Sequence, residues 1–157
     1  MLEIDIPGFD IVKLKHLVLD LNGTLTNQGI LIAHVKEQLR SLKKDLEVII
    51  VSADTFGRAN AIKDELEVSL KTIDSQSNES EQKVKIVEDL RCESVVAIGN
   101  GNNDQAMLKK ARIGIVVIGP EGASVHTIMN ATIVVYSITD ALQMLLNPQI
   151  LKATLRY

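Results

Sequence analysis

Aromatic residues are scarce in this chain, at 3% of 157 positions, and tryptophan is absent. Proteins that hold single-stranded nucleic acid stack its bases on aromatic faces, so that class of function is disfavoured. Excess basic charge is missing too. The formal net charge is −3, and no broad positive field exists to attract nucleic acid or an acidic membrane surface. Cys92 is the single cysteine; it forbids an internal disulfide and excludes a metal site built from several thiolates. A lone thiol fits a reducing interior. The opening MLEIDIPGFD carries acids where a secretory signal needs a basic start and an apolar run, so a cytoplasmic location is expected. The longest apolar runs fall far below the roughly 18 residues that a membrane span needs.

What is present is the composition of a folded protein, 46% hydrophobic and 24% charged, at a length suited to one good core. Short β-branched runs alternate with helical stretches. LEIDI, Pro7-Gly8 and the segment from Phe9 to Lys15 predict a small hairpin. HLVLDL from His16, LEVIIV from Leu46, SVVAIG from Ser94 and the run from Ile113 to Ile118 are apolar almost throughout, as strands buried on both faces must be. Shorter strands are expected at Val68 to Ile73 and Thr132 to Val135. Between them the pattern predicts helices at Ala33 to Lys44, Phe56 to Leu66, from a Ser80 cap to Leu90, Asp104 to Ala111, Ala123 to Met129 and Thr139 to Leu146. Strands separated by helices mean βαβ units and a doubly wound parallel α/β sheet. The expected organisation is one domain, with a hairpin over 1–15, a core over about 16–146 and a tail over 147–157.

In such sheets ligands bind beyond the carboxyl ends of the strands. The residues there are Asp20-Leu21-Asn22-Gly23-Thr24, Ser52-Ala53-Asp54 and Gly99-Asn100-Gly101-Asn102-Asn103-Asp104. Any one of these polar segments alone reads as turn chemistry; three at one edge suggest a site. The residue types suit phosphoryl transfer. A carboxylate at Asp20 can attack phosphorus. The hydroxyls of Thr24 and Ser52 can hydrogen-bond phosphoryl oxygens. Lys83 can neutralise charge developing on them, although its bland reading is a solvated surface lysine. Asp104, with the Asn22 carbonyl and the Asn100 side chain, offers oxygens to Mg²⁺, which keeps several waters and needs few protein groups.

Four segments resemble the motifs of the haloacid dehalogenase-like (HAD) hydrolases, in the same order: LVLDLNGTLT, VIIVSADT, Lys83 in QKVKIVEDL, and AIGNGNNDQAML. Within that superfamily the chain is most similar to the phosphorylation domain of P-type ATPases and to their soluble, capless relatives. ARIGIVVIGPEGASVHTIMNATIVV also resembles the segment that follows the fourth motif, and the likeness runs from Leu17 to Val135. The resemblance implies an aspartyl-phosphate on Asp20. It implies Mg²⁺ held by Asp20, the Asn22 carbonyl and Asn100, and phosphate held by Thr24, Ser52 and Lys83. Asp104 then supports the metal through water or orients Lys83.

Two positions depart from the pattern. Most HAD phosphatases have a second Asp where this chain has Asn22, and that acid both protonates the leaving oxygen and activates water. Asn cannot exchange a proton this way, so slow turnover is expected. Asn100 replaces a metal-binding Asp, so weaker Mg²⁺ affinity is expected. Asp54 could substitute as a base, but reads better as a cap for the helix after it. Both unusual asparagines precede glycine, the context in which deamidation to Asp is easiest, although ordered backbone would block it.

The remaining signals carry less. Gly99 and Gly101 without a third glycine make a poor dinucleotide fingerprint. His16, His34 and His126 lack metal-pair spacing, Cys92 reads as packing, and the dispersed methionines as core filler. No segment between Thr26 and the first helix, or between Ser52 and Lys83, has room for a cap domain. The cleft should therefore be open to small phosphate esters or phosphoproteins, or be closed by a second copy of the chain. Three classes of function remain: a Mg²⁺-dependent phosphatase or phosphotransferase, a phospho-acceptor or regulatory module with little turnover, and a degenerate interaction domain.

Overall fold

The chain begins with a hairpin. β1 (Leu2–Ile6) and β2 (Asp10–Leu14) pair antiparallel across Pro7 and Gly8. The computed structural model describes residues 1–54 and 57–157. The elements that follow are β3 (His16–Asp20), β4 (Thr26–Asn27), β5 (Ile30–Leu31), α1 (Val35–Leu42), β6 (Glu47–Ser52), α2 (Arg58–Leu66) and β7 (Ser69–Thr72). After them come α3 (Glu79–Asp89), β8 (Val95–Gly99), α4 (Gln105–Lys110), β9 (Ile113–Val117), α5 (Val125–Asn130), β10 (Ile133–Val135), α6 (Ile138–Leu146) and α7 (Pro148–Leu155). The expected start of α2 at Phe56 lies outside the described residues.

Six strands form one parallel sheet in the order β10-β9-β8-β3-β6-β7. This is the doubly wound α/β architecture that the alternation predicts. The chain leaves β3 to build β6 and β7 on one side, then crosses back to build β8 on the other. The boundary between β3 and β8 is thus the switch point where such sheets open a crevice. Register brings the strand ends level there: Leu19 pairs with Ile98, and Asp20 with Val51.

Alternation along the strands feeds two cores. Leu17, Leu19, Ile50, Val96 and Ile98 face one side, where α1, α2, α6, α7 and the inner face of the hairpin cover them. Val18, Ile49, Val51, Val95 and Ala97 face the other, packed with Val87 of α3 and Met107 and Leu108 of α4. Each fully buried Leu, Ile or Val is worth about 1.5–3 kcal/mol relative to exposure, so these positions fix the register of the sheet and with it the alignment of the strand ends.

Three local features differ from the sequence expectation. The cap of α3 is Asn78 rather than Ser80: Asn78 is extended at ψ 99° and its side chain accepts from the Glu81 amide, whereas Ser80 is already helical. A cap must sit just outside the helix to reach those amides. Pro148 does not merely end α6. It stands at the first position of α7, where its missing N–H costs nothing, and Leu151 anchors that helix in the core. Finally, β4 and β5 form a short antiparallel hairpin turned at Gln28 and Gly29, both with positive φ of 50° and 80°, the geometry of a tight two-residue turn. This hairpin is all that intervenes between the Asp20 loop and α1, so the fold is capless at this point. No helix among the described residues is long and apolar enough to cross a membrane.

Candidate active site

At the carboxyl end of β3 the backbone delivers Asp20, nearly buried at 8% exposure. Lys83 rises to meet it from the second turn of α3. It is no surface lysine: it is 1% exposed, and its Nζ donates to Asp20 Oδ1 at 2.7 Å and to Asp104 Oδ1 at 2.6 Å. Helical spacing puts Lys83 on the same face as Val87, the buried stripe of α3, which turns the lysine inward toward the switch point.

Asp104 is fully buried, and both of its oxygens are engaged. Oδ1 accepts from Lys83, and Oδ2 accepts from the backbone amides of Asn100 and Gly101, each at 3.0 Å. Orienting Lys83, one of the two roles expected for it, matches these bonds; support of a metal through water is the other, and a direct bond to a cation would have to displace one of these partners. Gly99 makes room for this carboxylate: a Cβ there would stand 2.5 Å from Asp104 Cγ.

Thr24 is also fully buried. Its hydroxyl reaches Asp20 Oδ2 and Asn100 Oδ1, each at 3.3 Å, so it positions those two oxygens from behind. The phosphate contact expected of Thr24 would have to form alongside these two bonds. Asn100 is held at its other end, where Nδ2 donates to the Gly122 carbonyl at 3.1 Å. Asp20 Oδ2 and Asn100 Oδ1 therefore stand side by side against the Thr24 hydroxyl. Hard oxygen donors gathered in this way suit Mg²⁺, with the remaining positions left to water. Among the described residues no group of three or more His, Cys, Asp or Glu side chains forms a metal cluster, so a cation here would rest on Asp20, an amide oxygen and backbone.

Ser52 ends β6 beside Asp20. Its Oγ accepts from the Asp54 amide at 3.1 Å, which leaves the hydroxyl proton for an acceptor in the cleft. The Asp54 carboxylate accepts from the Ala59 amide at 2.9 Å, the capping role expected of it. Asp20, Asn22, Ser52, Lys83 and Asn100 all line one open cleft of about 580 Å³. A larger cleft of about 840 Å³ lies at the amino ends of the strands, lined by Asp10, Lys13, Arg91 and Arg112. There Arg112 is paired with Asp10 at 2.9 Å and Lys13 with Glu3 at 3.3 Å, and among the described residues no buried polar set converges.

Electrostatics at the switch point are set by burial. Asp20 is pushed up to about 7, first by loss of solvent and then by the Asp104 charge, against the opposing pull of Lys83 and Thr24. Burial disfavours the Lys83 ammonium, but Asp20 and Asp104 outweigh it and raise the lysine above its ordinary range. A divalent cation beside Asp20 would favour its ionised form.

Sequence reasoning missed two cleft carboxylates, Glu79 and Glu121. Glu79 opens α3, and its Oε2 accepts from Asn103 Nδ2 at 2.7 Å. Glu121 lies in the loop after β9. The rule that chemistry follows strand ends applies to that loop as well, and would have found it.

No family model matches the chain. Uncharacterized protein MJ0073 of Methanocaldococcus jannaschii is 54% identical over 78 residues, which make up 47% of this chain and 84% of the relative. Among solved structures, the 3-deoxy-D-manno-octulosonate 8-phosphate phosphatase of Moraxella catarrhalis, in complex with a magnesium ion, a phosphate ion and KDO, matches with a TM-score of 0.70 at 17% identity, over 91% of this chain and 94% of that one. The catalytic domain of the CPx-ATPase CopB-B matches with a TM-score of 0.63 at 27% identity, over 75% of this chain and 46% of that one.

Proposed function

Since the chain belongs to the family of Uncharacterized protein MJ0073 and has the fold of the HAD hydrolases, we propose that it is a Mg²⁺-dependent phosphatase or phosphotransferase that works through an aspartyl-phosphate on Asp20. The observation that carries this reading is the buried lysine shared by two carboxylates at the switch point, with Lys83 Nζ at 2.7 Å from Asp20 and 2.6 Å from Asp104. A purely structural sheet has no reason to bury a charged triad at its one natural ligand crevice, since burying ions opposes folding.

In this reading an Asp20 oxygen forms a bond to phosphorus, and the ester P–O bond breaks with its electrons on the leaving oxygen. Lys83 offsets charge on the phosphoryl oxygens and Ser52 donates to one of them. Thr24 and Asp104 fix the directions of Asp20 and Lys83. Asp20, Asn100 and the Asn22 carbonyl would hold the Mg²⁺, which neutralises phosphate charge when bound. The Asn22 side chain cannot give or take a proton, and general acid–base help is typically worth ~10²–10⁴ in rate, so a site that had to rely on position 22 for that help would turn over slowly. The substrate is a small or protein-borne phosphate ester admitted by the capless cleft, in the cytoplasm, and self-association excludes water from the site.

Asn22 also favours a second reading, a phospho-acceptor module in which the acyl-phosphate persists and signals. A Mg²⁺-dependent screen of phosphate esters, with Asp20→Asn as control, tests the proposal. Slow, metal-dependent release of phosphate that vanishes in the variant supports it. Labelling of Asp20 without steady release selects the second reading. No labelling and no release overturns both.

A further inference from the structure

Glu121 belongs to none of the four motifs, yet its carboxylate lines the cleft that holds Asp20, Asn22 and Lys83. Its loop is fixed to the site from both ends. The Gly119 amide donates to the Tyr136 carbonyl at 2.9 Å, Asn100 Nδ2 donates to the Gly122 carbonyl at 3.1 Å, and the Ser124 amide donates to the Asn100 carbonyl at 3.0 Å. Positive φ at Gly119 and Gly122, 58° and 78°, folds the loop over the Asp20 segment. As a result the Glu121 carboxyl lies directly above Gly23. A Cβ built on Gly23 would overlap Glu121 Oε2, would stand 2.9 Å from its Cδ, and would stand 2.9 Å from Asn100 Nδ2. Gly23 itself has φ 77°. The backbone reserves this position for glycine, and the Glu121 carboxylate lies over the face that has no side chain.

Asn22 is the residue immediately before Gly23. It is the position whose side chain cannot exchange a proton, and the carboxylate over Gly23 lines the same cleft. The other cleft carboxylates are committed: Asp54 caps α2 and Glu79 accepts from Asn103. Among the described residues, no hydrogen bond or ion pair holds the Glu121 carboxyl, and the residue is exposed.

We propose that Glu121 is the proton-transfer residue of the reaction, supplying from the loop after β9 the acid–base group that Asn22 lacks. The inference rests on the aspartyl-phosphate reading above. In the first half-reaction the bond from Asp20 to phosphorus forms, the ester P–O bond breaks, and the protonated Glu121 gives its proton to the leaving oxygen. In the second, water attacks phosphorus and its proton passes to the Glu121 carboxylate. The Asp20–phosphorus bond then breaks with its electron pair returning to the Asp20 carboxylate, and inorganic phosphate leaves. Glu121 ends protonated, ready for the next ester.

Radiolabelled acetyl phosphate separates the two halves, because its acetate leaving group needs no proton. The wild-type protein and Glu121→Gln are labelled with Mg²⁺ present, donor is removed, and loss of label is followed. The expected result is equal labelling, with decay slowed ~10²-fold or more in Glu121→Gln. Formate should restore part of the decay rate in Glu121→Ala by filling the vacated space with a small base. Beryllofluoride binding, measured in parallel, should be unchanged in Glu121→Gln. Equal decay rates would overturn the role of Glu121 alone, and so would slower decay accompanied by lost beryllofluoride binding, which marks a structural defect. Absence of label in the wild type would overturn the aspartyl-phosphate reading and this inference together.

Discussion

Lys83 Nζ lies 2.7 Å from Asp20 Oδ1, although the two residues are 63 positions apart in the chain. The contact joins the end of the central strand to the second turn of α3 across the switch point. With Asp104 it buries two carboxylates around one ammonium. This arrangement ties the proposed chemistry to measurable stability.

Removing the cation should be costly. In Lys83→Met, Asp20 and Asp104 are left buried without their counter-charge, and breaking such a group typically costs ~3–5 kcal/mol. Urea unfolding should show a loss of this size near neutral pH, and the loss should shrink as pH falls and Asp20 takes up a proton. A change below about 1 kcal/mol would mean that the triad is more solvated than its 1% lysine exposure indicates.

Asp20 should leave a signature in the pH dependence of stability without divalent cation. Its folded value is raised from 3.8 to about 7. Below 3.8 both folded and unfolded states hold the proton, so the group contributes nothing. Between 3.8 and about 7 the unfolded chain releases the proton while the folded protein keeps it, so stability falls as pH rises. Asp20→Asn removes that titration. Relative to the variant, the wild type should lose stability steadily across this window and level off above it, as read from thermal melts at a series of pH values. Added Mg²⁺ should flatten the wild-type curve and not that of the variant.

Restoring the acid–base group should speed turnover. Asn22→Asp is expected to raise steady release of phosphate from p-nitrophenyl phosphate, up to the ~10²–10⁴ typical of general acid–base catalysis, with the gain at the low end if Glu121 already transfers the proton. No gain from Asn22→Asp in a Glu121→Gln background, where no other acid–base group is assigned, would contradict the account of Asn22.

Asn100→Asp should act in two opposed ways. A carboxylate strengthens the hold on Mg²⁺, which titration calorimetry will read as tighter binding. The same change removes the bond from Asn100 Nδ2 to the Gly122 carbonyl, worth about 0.5–1.5 kcal/mol. The variant should therefore melt lower than wild type without metal and recover when Mg²⁺ is added.

Much of this was legible in the sequence because it depends on local pattern. Continuous apolar runs such as LEVIIV and SVVAIG can only be strands covered on both faces, and the rule that ligands collect at their carboxyl ends picked out Asp20, Ser52 and Asn100 before any coordinates. Lys83 was legible as a candidate charge but its burial was not, since nothing nearby in sequence says that a lysine in an acidic, polar helix is buried. The bonds of Thr24 to Asp20 and Asn100, and of Asp104 to Lys83, depend on which way hydroxyl and carboxyl point, and spacing does not carry that. Glu121 escaped notice because its partner in space, Gly23, is almost a hundred positions away and contributes no side chain at all. The helix at Pro148 was missed because proline after a helix reads equally as a stop and as a new start.

The central claim is that the side chain at position 20 bonds to phosphorus, and borohydride trapping tests it most directly. The protein is incubated with acetyl phosphate and Mg²⁺, reduced with borohydride, digested and analysed by peptide mass spectrometry. The account predicts conversion of Asp20, and of no other carboxylate, to homoserine. Reduction at Asp54, Glu79, Asp104 or Glu121 instead, or at no residue, would contradict it.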